Sequence, residues 1–211
     1  MNVWDERAQL YVESEAHREG EDLDLLVEWA QGARTALDVA TGGGHVARRL
    51  REAGLEVVTS DPARGMGPDV ICPAEDLPFA NDSFDVVACR VAAHHFDGVA
   101  AAVAEMARVA RDRVLLVDNL FLGDDAEEAE RLRDPSHVRN HTEAEWRSFL
   151  AGAGLRVDDV RRFDKPIELE PWLARTGCVD EEASRVRELL AGRIDADGFL
   201  HLDRIAFLAS V

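Results

Sequence analysis

The sequence predicts an α/β fold built on a doubly wound, mostly parallel sheet. Three observations carry that prediction. Short β-rich runs alternate with stretches of helical periodicity; the first such pair is joined by three consecutive glycines; and one run, RVLLVDNLF (113–121), is apolar almost throughout, as a strand buried on both faces must be. The chain has 211 residues, 46% of them hydrophobic and 31% charged, enough to bury a substantial core in one domain.

The elements follow in order. EDLDLLVEWAQ (21–31) sets Leu23, Leu26, Val27 and Ala30 at helical spacing, with Gly32 as the stop. TALDVA (35–40) is a strand running into Gly42, Gly43 and Gly44; HVARRLREAG (45–54) is a helix closed by Gly54; LEVVTS (55–60) is the next strand. Together they form one βαβ unit. DPARGMGP then joins Ser60 to Asp69, and its glycines and prolines exclude a helix, so DVIC (69–72) is expected as an edge strand. FDVVAC (84–89) and residues 113–121 are strands flanking the helix VAAAVAEMARVA (99–110). Thr142 to Glu145 (TEAE) is a capping box that opens the helix EAEWRSFLAGAG. LRVDDVRRF (155–163) and RIAFLASV (204–211) are the late strands, and one helix is expected within PWLARTGCVDEEASRVRELLAG. GDDAEEAE (123–130) reads as the solvated face of a helix.

Composition narrows the partners. With 24 basic and 42 acidic residues the formal charge is −18, which repels phosphate backbones and anionic membranes and favours a small molecule over nucleic acid. Cys72, Cys89 and Cys178 show no CxxC spacing and read as reduced, buried filler. Without an apolar leader or a run of about 20 apolar residues, no membrane span is expected and the cytoplasm is the expected compartment. A homodimer is left open.

The glycine turn is the first chemical signal. Glycine loses more backbone entropy on folding than any other residue, so three in succession mark backbone that turns sharply or lies against a ligand. A strand feeding such a turn into a helix aims N–H groups and the positive end of the helix dipole at the carboxyl edge of the sheet, where anionic groups settle. Asp61, at the end of the second strand about 20 residues on, is placed to accept hydrogen bonds from a ribose diol. A nucleoside with an anionic tail fits both features. Gly42 to Ala47 also match G-x-G-x-x-G/A, so an NAD(P)-dependent oxidoreductase fits the same spacing, as does a nucleoside-binding module without turnover. The single tyrosine, Tyr11, and the single lysine, Lys165, leave no Tyr-x-x-x-Lys pair for hydride chemistry.

LDVATGGGHVARRL, VTSDPA, AEDLPFANDSFDVVACRVAAHHF and RVLLVDN, in that order, resemble the class I S-adenosylmethionine-dependent methyltransferases, in the branch around the ubiquinone/menaquinone-biosynthesis type. The later RLRDPSHVRNHTEAEWRSFLAGAGL resembles a subset of these enzymes of mostly unassigned substrate. The resemblance implies one Rossmann-like domain over 1–211, with a seven-stranded sheet whose last strand is antiparallel. Within it, 1–32 would be an N-terminal lid and helix, 33–121 the cofactor-binding core, 122–142 a roof over the substrate pocket and 143–211 the C-terminal helices and strands. It also implies S-adenosylmethionine as cofactor and a small-molecule methyl acceptor.

Residue by residue, the resemblance implies that Ala40, Thr41, Gly42 and Gly44 receive the methionine moiety, with Asp38 orienting the turn. Asp61 and Pro62 would meet the ribose; Ala74, Glu75, Asp76 and Leu77 would border the adenine; Arg90 and Val91 would approach the sulfonium. Tyr11, Ser14, His17 and Gly20 would pack over the cofactor. Two positions depart from the family pattern: Ala40 stands where many relatives have a glycine, and Pro73 where an aspartate usually contacts the adenine amino group.

Methyl transfer needs few catalytic groups, but an acceptor that loses a proton needs a base, for which histidine is suited. His94, His95, His137 and His141 are candidates, with Arg133 and Arg139 available to bind an acidic acceptor and Asn119 to orient one. Plainer roles compete with these. Arg133 and Asp134 could pair on the surface; His137 and His141, at i and i+4, lack a third ligand for a metal; and Trp4, Trp29, Trp146 and Trp172 are expected in the core or an interface.

Overall fold

The computed structural model describes residues 18–211. Trp4 and the expected lid residues Tyr11, Ser14 and His17 lie outside the described residues. The first elements among the described residues are α1 (Glu21–Trp29), β1 (Thr35–Val39), α2 (His45–Glu52) and β2 (Glu56–Asp61). β3 (Val70–Ile71), β4 (Phe84–Arg90), α3 (Val99–Val109) and β5 (Ala110–Asn119) complete the first half. α4 (Asp124–Arg133), α5 (Glu143–Gly152), β6 (Arg156–Glu168), α6 (Leu169–Ala174), α7 (Asp180–Leu189) and β7 (Phe199–Ser210) follow.

The strands form one seven-stranded sheet in the order β3-β2-β1-β4-β5-β7-β6. β3 through β5 are parallel, and β7 runs antiparallel to both of its neighbours. The expected edge strand is real and short: among the described residues β3 pairs with β2 alone, after a loop whose only helical feature is a 3-10 turn at Arg64–Met66.

Alternation along the central strands builds two cores. Leu37 and Val39 of β1, Val87 and Cys89 of β4 and Leu116 of β5 face one side, where they pack with Val103 and Met106 of α3 and Trp146 and Leu150 of α5. Ala36, Val86, Ala88 and Leu115 face the other, against Leu23 and Leu26 of α1 and Val46 and Leu50 of α2. All three cysteines are buried free thiols, and Trp29, Trp146 and Trp172 are buried. Among the described residues no helix is long and apolar enough to cross a membrane.

Two expectations are corrected by the second half. The segment 171–192 carries parts of two helices, because the turn Thr176 to Cys178 passes through Gly177 at φ 75 and resets the chain between α6 and α7. The acidic stretch 123–130 is not a solvated face throughout: Glu127 and Glu130 of α4 are buried, and Ala126 and Ala129 join a third apolar cluster with Trp172 and Leu173 of α6, Val186 of α7 and Leu200 and Leu202 of β7. α4 therefore packs with α6 and α7 over this third cluster.

The capping box of α5 is formed as read from the sequence. Glu145 N–H donates to Thr142 Oγ1 at 3.2 Å, and Thr142 N–H donates to Glu145 Oε2 at 2.8 Å. Thr142→Ala removes both the cap and its reciprocal orientation, and urea unfolding should show a loss of about 1 kcal/mol.

Candidate functional site

β1 and β4 lie side by side, but α2 and α3, which follow them, cover opposite faces of the sheet. Parallel neighbours whose connections diverge open a crevice at their carboxyl ends. An outer cavity of about 160 Å³ occupies it. One wall is the turn Ala40, Thr41, Gly42 and Gly43 with His45 and Val46 of α2; another is Arg90, Val91 and Ala92 after β4. Asp61, Pro62 and Met66 after β2, and His95 and Phe96, complete it.

The turn is strained where it meets the cavity. Ala40 leaves β1 at φ 53 and Val91 leaves β4 at φ 54, left-handed values that cost a non-glycine residue roughly 1–2 kcal/mol. Gly42 at φ 50 and Gly44 at φ 73 adopt the same region without that penalty, and Gly44 caps α2 rather than lining the cavity. Two carboxylates hold the turn from below. Asp38 accepts the Thr41 hydroxyl at 2.6 Å and Ala47 N–H at 3.0 Å; Asp61 accepts Gly42 N–H at 3.0 Å and Ala63 N–H at 2.9 Å. Complete burial raises the Asp38 pKa to about 6, against the pull of those two hydrogen bonds.

The segment expected at the adenine stands outside this wall. Ala74 and Leu77 belong to the core beside α3, Glu75 accepts Gly98 N–H at 3.1 Å, and Asp76 is exposed. Arg90 lines the cavity, but its guanidinium grips Asp22 of α1, with Nε donating at 2.8 Å and Nη2 at 3.2 Å. Arg204 of β7 donates to the same carboxylate at 2.9 Å. Burial works to raise the Asp22 pKa, yet the Arg204 and Arg90 guanidiniums hold it well below the usual carboxylate range.

A second, inner cavity of about 50 Å³ shares Val91 and His95 with the first. It gathers His94, His95, Arg133, His137 and Asn119, all singled out in the sequence. Asp118 takes His94 Nδ1 at 2.6 Å and accepts its backbone N–H at 2.9 Å. Burial opposes charge on His94, but the Asp118 carboxylate prevails and raises its pKa. His95, 4.2 Å away between ring centroids, has Nδ1 at 3.0 Å from the Ser136 carbonyl, so Nδ1 carries its hydrogen and Nε2 the lone pair. Burial, reinforced by the His94 charge, pushes the His95 pKa down to about 3, which keeps the ring neutral at physiological pH. Arg133 is buried, not paired on the surface; it lies over the Trp172 ring at 4.2 Å and donates from Nη1 to Glu130 at 3.1 Å.

Other candidates fall elsewhere. Arg139 is exposed and pairs with Glu145 at 2.8 Å, and His141 packs edge-on against Trp146 and Phe149. Conversely, Trp172, Arg175, Leu202 and Arg204 line the inner cavity without having been singled out as site residues. Arg204 did leave a trace, as the charge that opens the otherwise apolar run RIAFLASV. Trp172 and Arg175 left none, since the helix that presents them was not separable by periodicity.

A family described as a methyltransferase domain matches residues 37–117. The uncharacterized methyltransferase YcgJ of Bacillus subtilis is 33% identical over 203 residues, covering 85% of this chain and 80% of its own length. Its crystal structure superposes with a TM-score of 0.80 at 29% identity, over 90% of this chain and 97% of that one. A putative methyltransferase from Bacillus halodurans superposes with a TM-score of 0.77 at 29% identity, over 90% of this chain and 99% of that one. The 1,6-didemethyltoxoflavin-N1-methyltransferase of Burkholderia thailandensis, solved with S-adenosylhomocysteine, reaches a TM-score of 0.60 at 17% identity over 95% of this chain and 80% of that one, a likeness of fold alone.

Because the folded Asp38 titrates near 6, above its ordinary 3.8, the stability this group contributes is complete below about pH 4 and is lost as pH rises through 6. Asp38→Asn removes that loss while keeping a side-chain acceptor for Thr41 and Ala47. Urea unfolding should show the variant gaining on the wild type, by on the order of 2–3 kcal/mol, between pH 4 and pH 7.5. A difference that stays constant with pH would contradict the shift.

Proposed function

Because the chain belongs to the class I S-adenosylmethionine-dependent methyltransferases, we propose that it moves a methyl group from S-adenosylmethionine in the outer cavity to a small-molecule acceptor in the inner one. The observation that carries this reading is the common wall: Val91 and His95 line both cavities.

The outer cavity suits the donor. Where a side chain at Gly42 would stand there is open space, so the turn presents bare backbone to a ligand. Ala40, Thr41 and Gly42 would meet the methionine end, and Asp61 with Pro62 the ribose. Val46, Met66 and Phe96 offer apolar surface for the base, and Ala74, Glu75, Asp76 and Leu77 would border it. Two regions carry the remaining assignments: 33–121 would hold the donor, and α4, α6 and α7 would cover the acceptor. The motif order supports a place near the ubiquinone/menaquinone-type branch.

When bound, S-adenosylmethionine supplies a methyl group already activated on a sulfonium centre, so the chain has to align a nucleophile and exclude water. His95, neutral and with its lone pair on Nε2, would accept the hydrogen bond of an acceptor O–H or N–H and so aim the heteroatom at the methyl group. His94, fixed by Asp118, sets the state of His95 through its charge and is a positioning residue. The net charge of −18 supports an acceptor other than nucleic acid.

Calorimetric titration with S-adenosylmethionine, S-adenosylhomocysteine, NAD and NADP tests the reading. The first two should bind with micromolar dissociation constants and the nicotinamide nucleotides should give no heat. Binding of the nicotinamide nucleotides alone would make the chain an oxidoreductase. Asp61→Ala should weaken S-adenosylhomocysteine by about 1–3 kcal/mol, and unchanged affinity would remove the ribose assignment.

A further inference from the structure

Two residues that line the inner cavity each carry a buried nitrogen without a hydrogen-bond partner among the described residues, Arg133 Nε and His137 Nδ1. Leaving a buried polar group unmet is costly, so each is a position at which a ligand atom is wanted. Neither side chain is free to turn away. Arg133 is clamped between Trp172 and Glu130, with Asp134 at 3.9 Å from Nη2. His137 Nε2 lies 3.1 Å from the Glu127 carboxylate, and burial of Glu127 is outweighed by its contacts with His137 and Asn140, so it stays ionised. The hydrogen of His137 therefore sits on Nε2, and Nδ1 presents a lone pair. One anchor donates and the other accepts.

The charges around the cavity cancel locally. Arg133 has Glu130 at 3.1 Å and Asp134 at 3.9 Å, Asp22 is shared by Arg204 and Arg90, Asp118 takes His94, and Glu127 faces His137. No surplus of either sign remains to compensate a buried ligand charge, and an uncompensated ion in such a site is costly.

Resting on the acceptor site proposed above, we propose that the inner cavity selects an uncharged acceptor bearing a carbonyl-type oxygen beside an N–H or O–H group, the oxygen read by Arg133 Nε–H and the hydrogen by His137 Nδ1. Arg133 and His137 are then specificity-determining residues, set apart from His95 on the wall shared with the donor.

Three probes of similar shape and different charge test this: benzamide, benzoate and benzylamine, titrated into isotopically labelled protein with and without S-adenosylhomocysteine. Benzamide should bind about tenfold or more tightly than either ion and should move the Arg133 Nε–H and His137 ring nitrogen resonances. Arg133→Lys, which keeps the charge but loses Nε–H, and His137→Gln should each weaken benzamide about tenfold while S-adenosylhomocysteine affinity stays unchanged. Preference for benzoate or benzylamine overturns the proposal, as does failure of every probe to move those resonances in the wild type. Failure of S-adenosylhomocysteine to bind would instead sink the methyltransfer reading, because benzamide binding to the cofactor-free chain reads the inner cavity by itself.

Discussion

Two residues bent into the left-handed region, Ala40 and Val91, set the shape of everything at the carboxyl edge of the sheet. A β-branched residue there is a true outlier, and such conformations persist only when their surroundings over-determine them. The surroundings do so here. β1 and β4 each pair on both sides within the sheet, Thr41 N–H donates to the Ser60 carbonyl at 3.0 Å and Val91 N–H to the Val117 carbonyl at 2.7 Å. Each strand is thus pegged to its neighbour just past its last residue. The Asp38 and Asp61 carboxylates then hold the glycine turn, so the N–H groups and cavity walls inherit the rigidity of the sheet.

An acidic chain places cations inside. Arg90, Arg133 and Arg204 are buried, and each meets a carboxylate that is buried too. Asp22 is the most consequential of these partners, because it joins α1 to β4 on the side of the outer cavity and to β7 on the side of the inner one. Removing one member of such a cluster leaves the others desolvated and unpaired, which costs far more than replacing the whole cluster by apolar groups. The charge network therefore fixes the positions of the cavity walls more than it adds stability.

What the sequence disclosed is what depends on neighbours along the chain. Period-two and period-3.6 patterns, the Thr142–Glu145 box, the glycine turn and the helix-free loop before β3 are local, and each is present at its expected place. What stayed hidden depends on distant pairing. Arg204 and Asp22 are separated by 182 positions, so nothing local explains a charge in a buried strand. Glu127 and Glu130 have the composition of a solvated face and are buried by tertiary packing, Glu127 against His137 and Asn140 and Glu130 beside Arg133. The segment 74–77 matches its family motif in order, yet Ala74 and Leu77 are used to fill the core. Motif spacing locates a loop along the chain but does not say which way its side chains face.

The apolar cluster under α4, α6 and α7 shares no residue with the two cores on the sheet faces. The family match, residues 37–117, ends before it begins. Trp172, Ile167 and Leu202 belong to this separate cluster and also line the inner cavity. Substitutions among them reshape the inner cavity without touching a contact of the glycine turn, so the two cavities can change shape independently of each other.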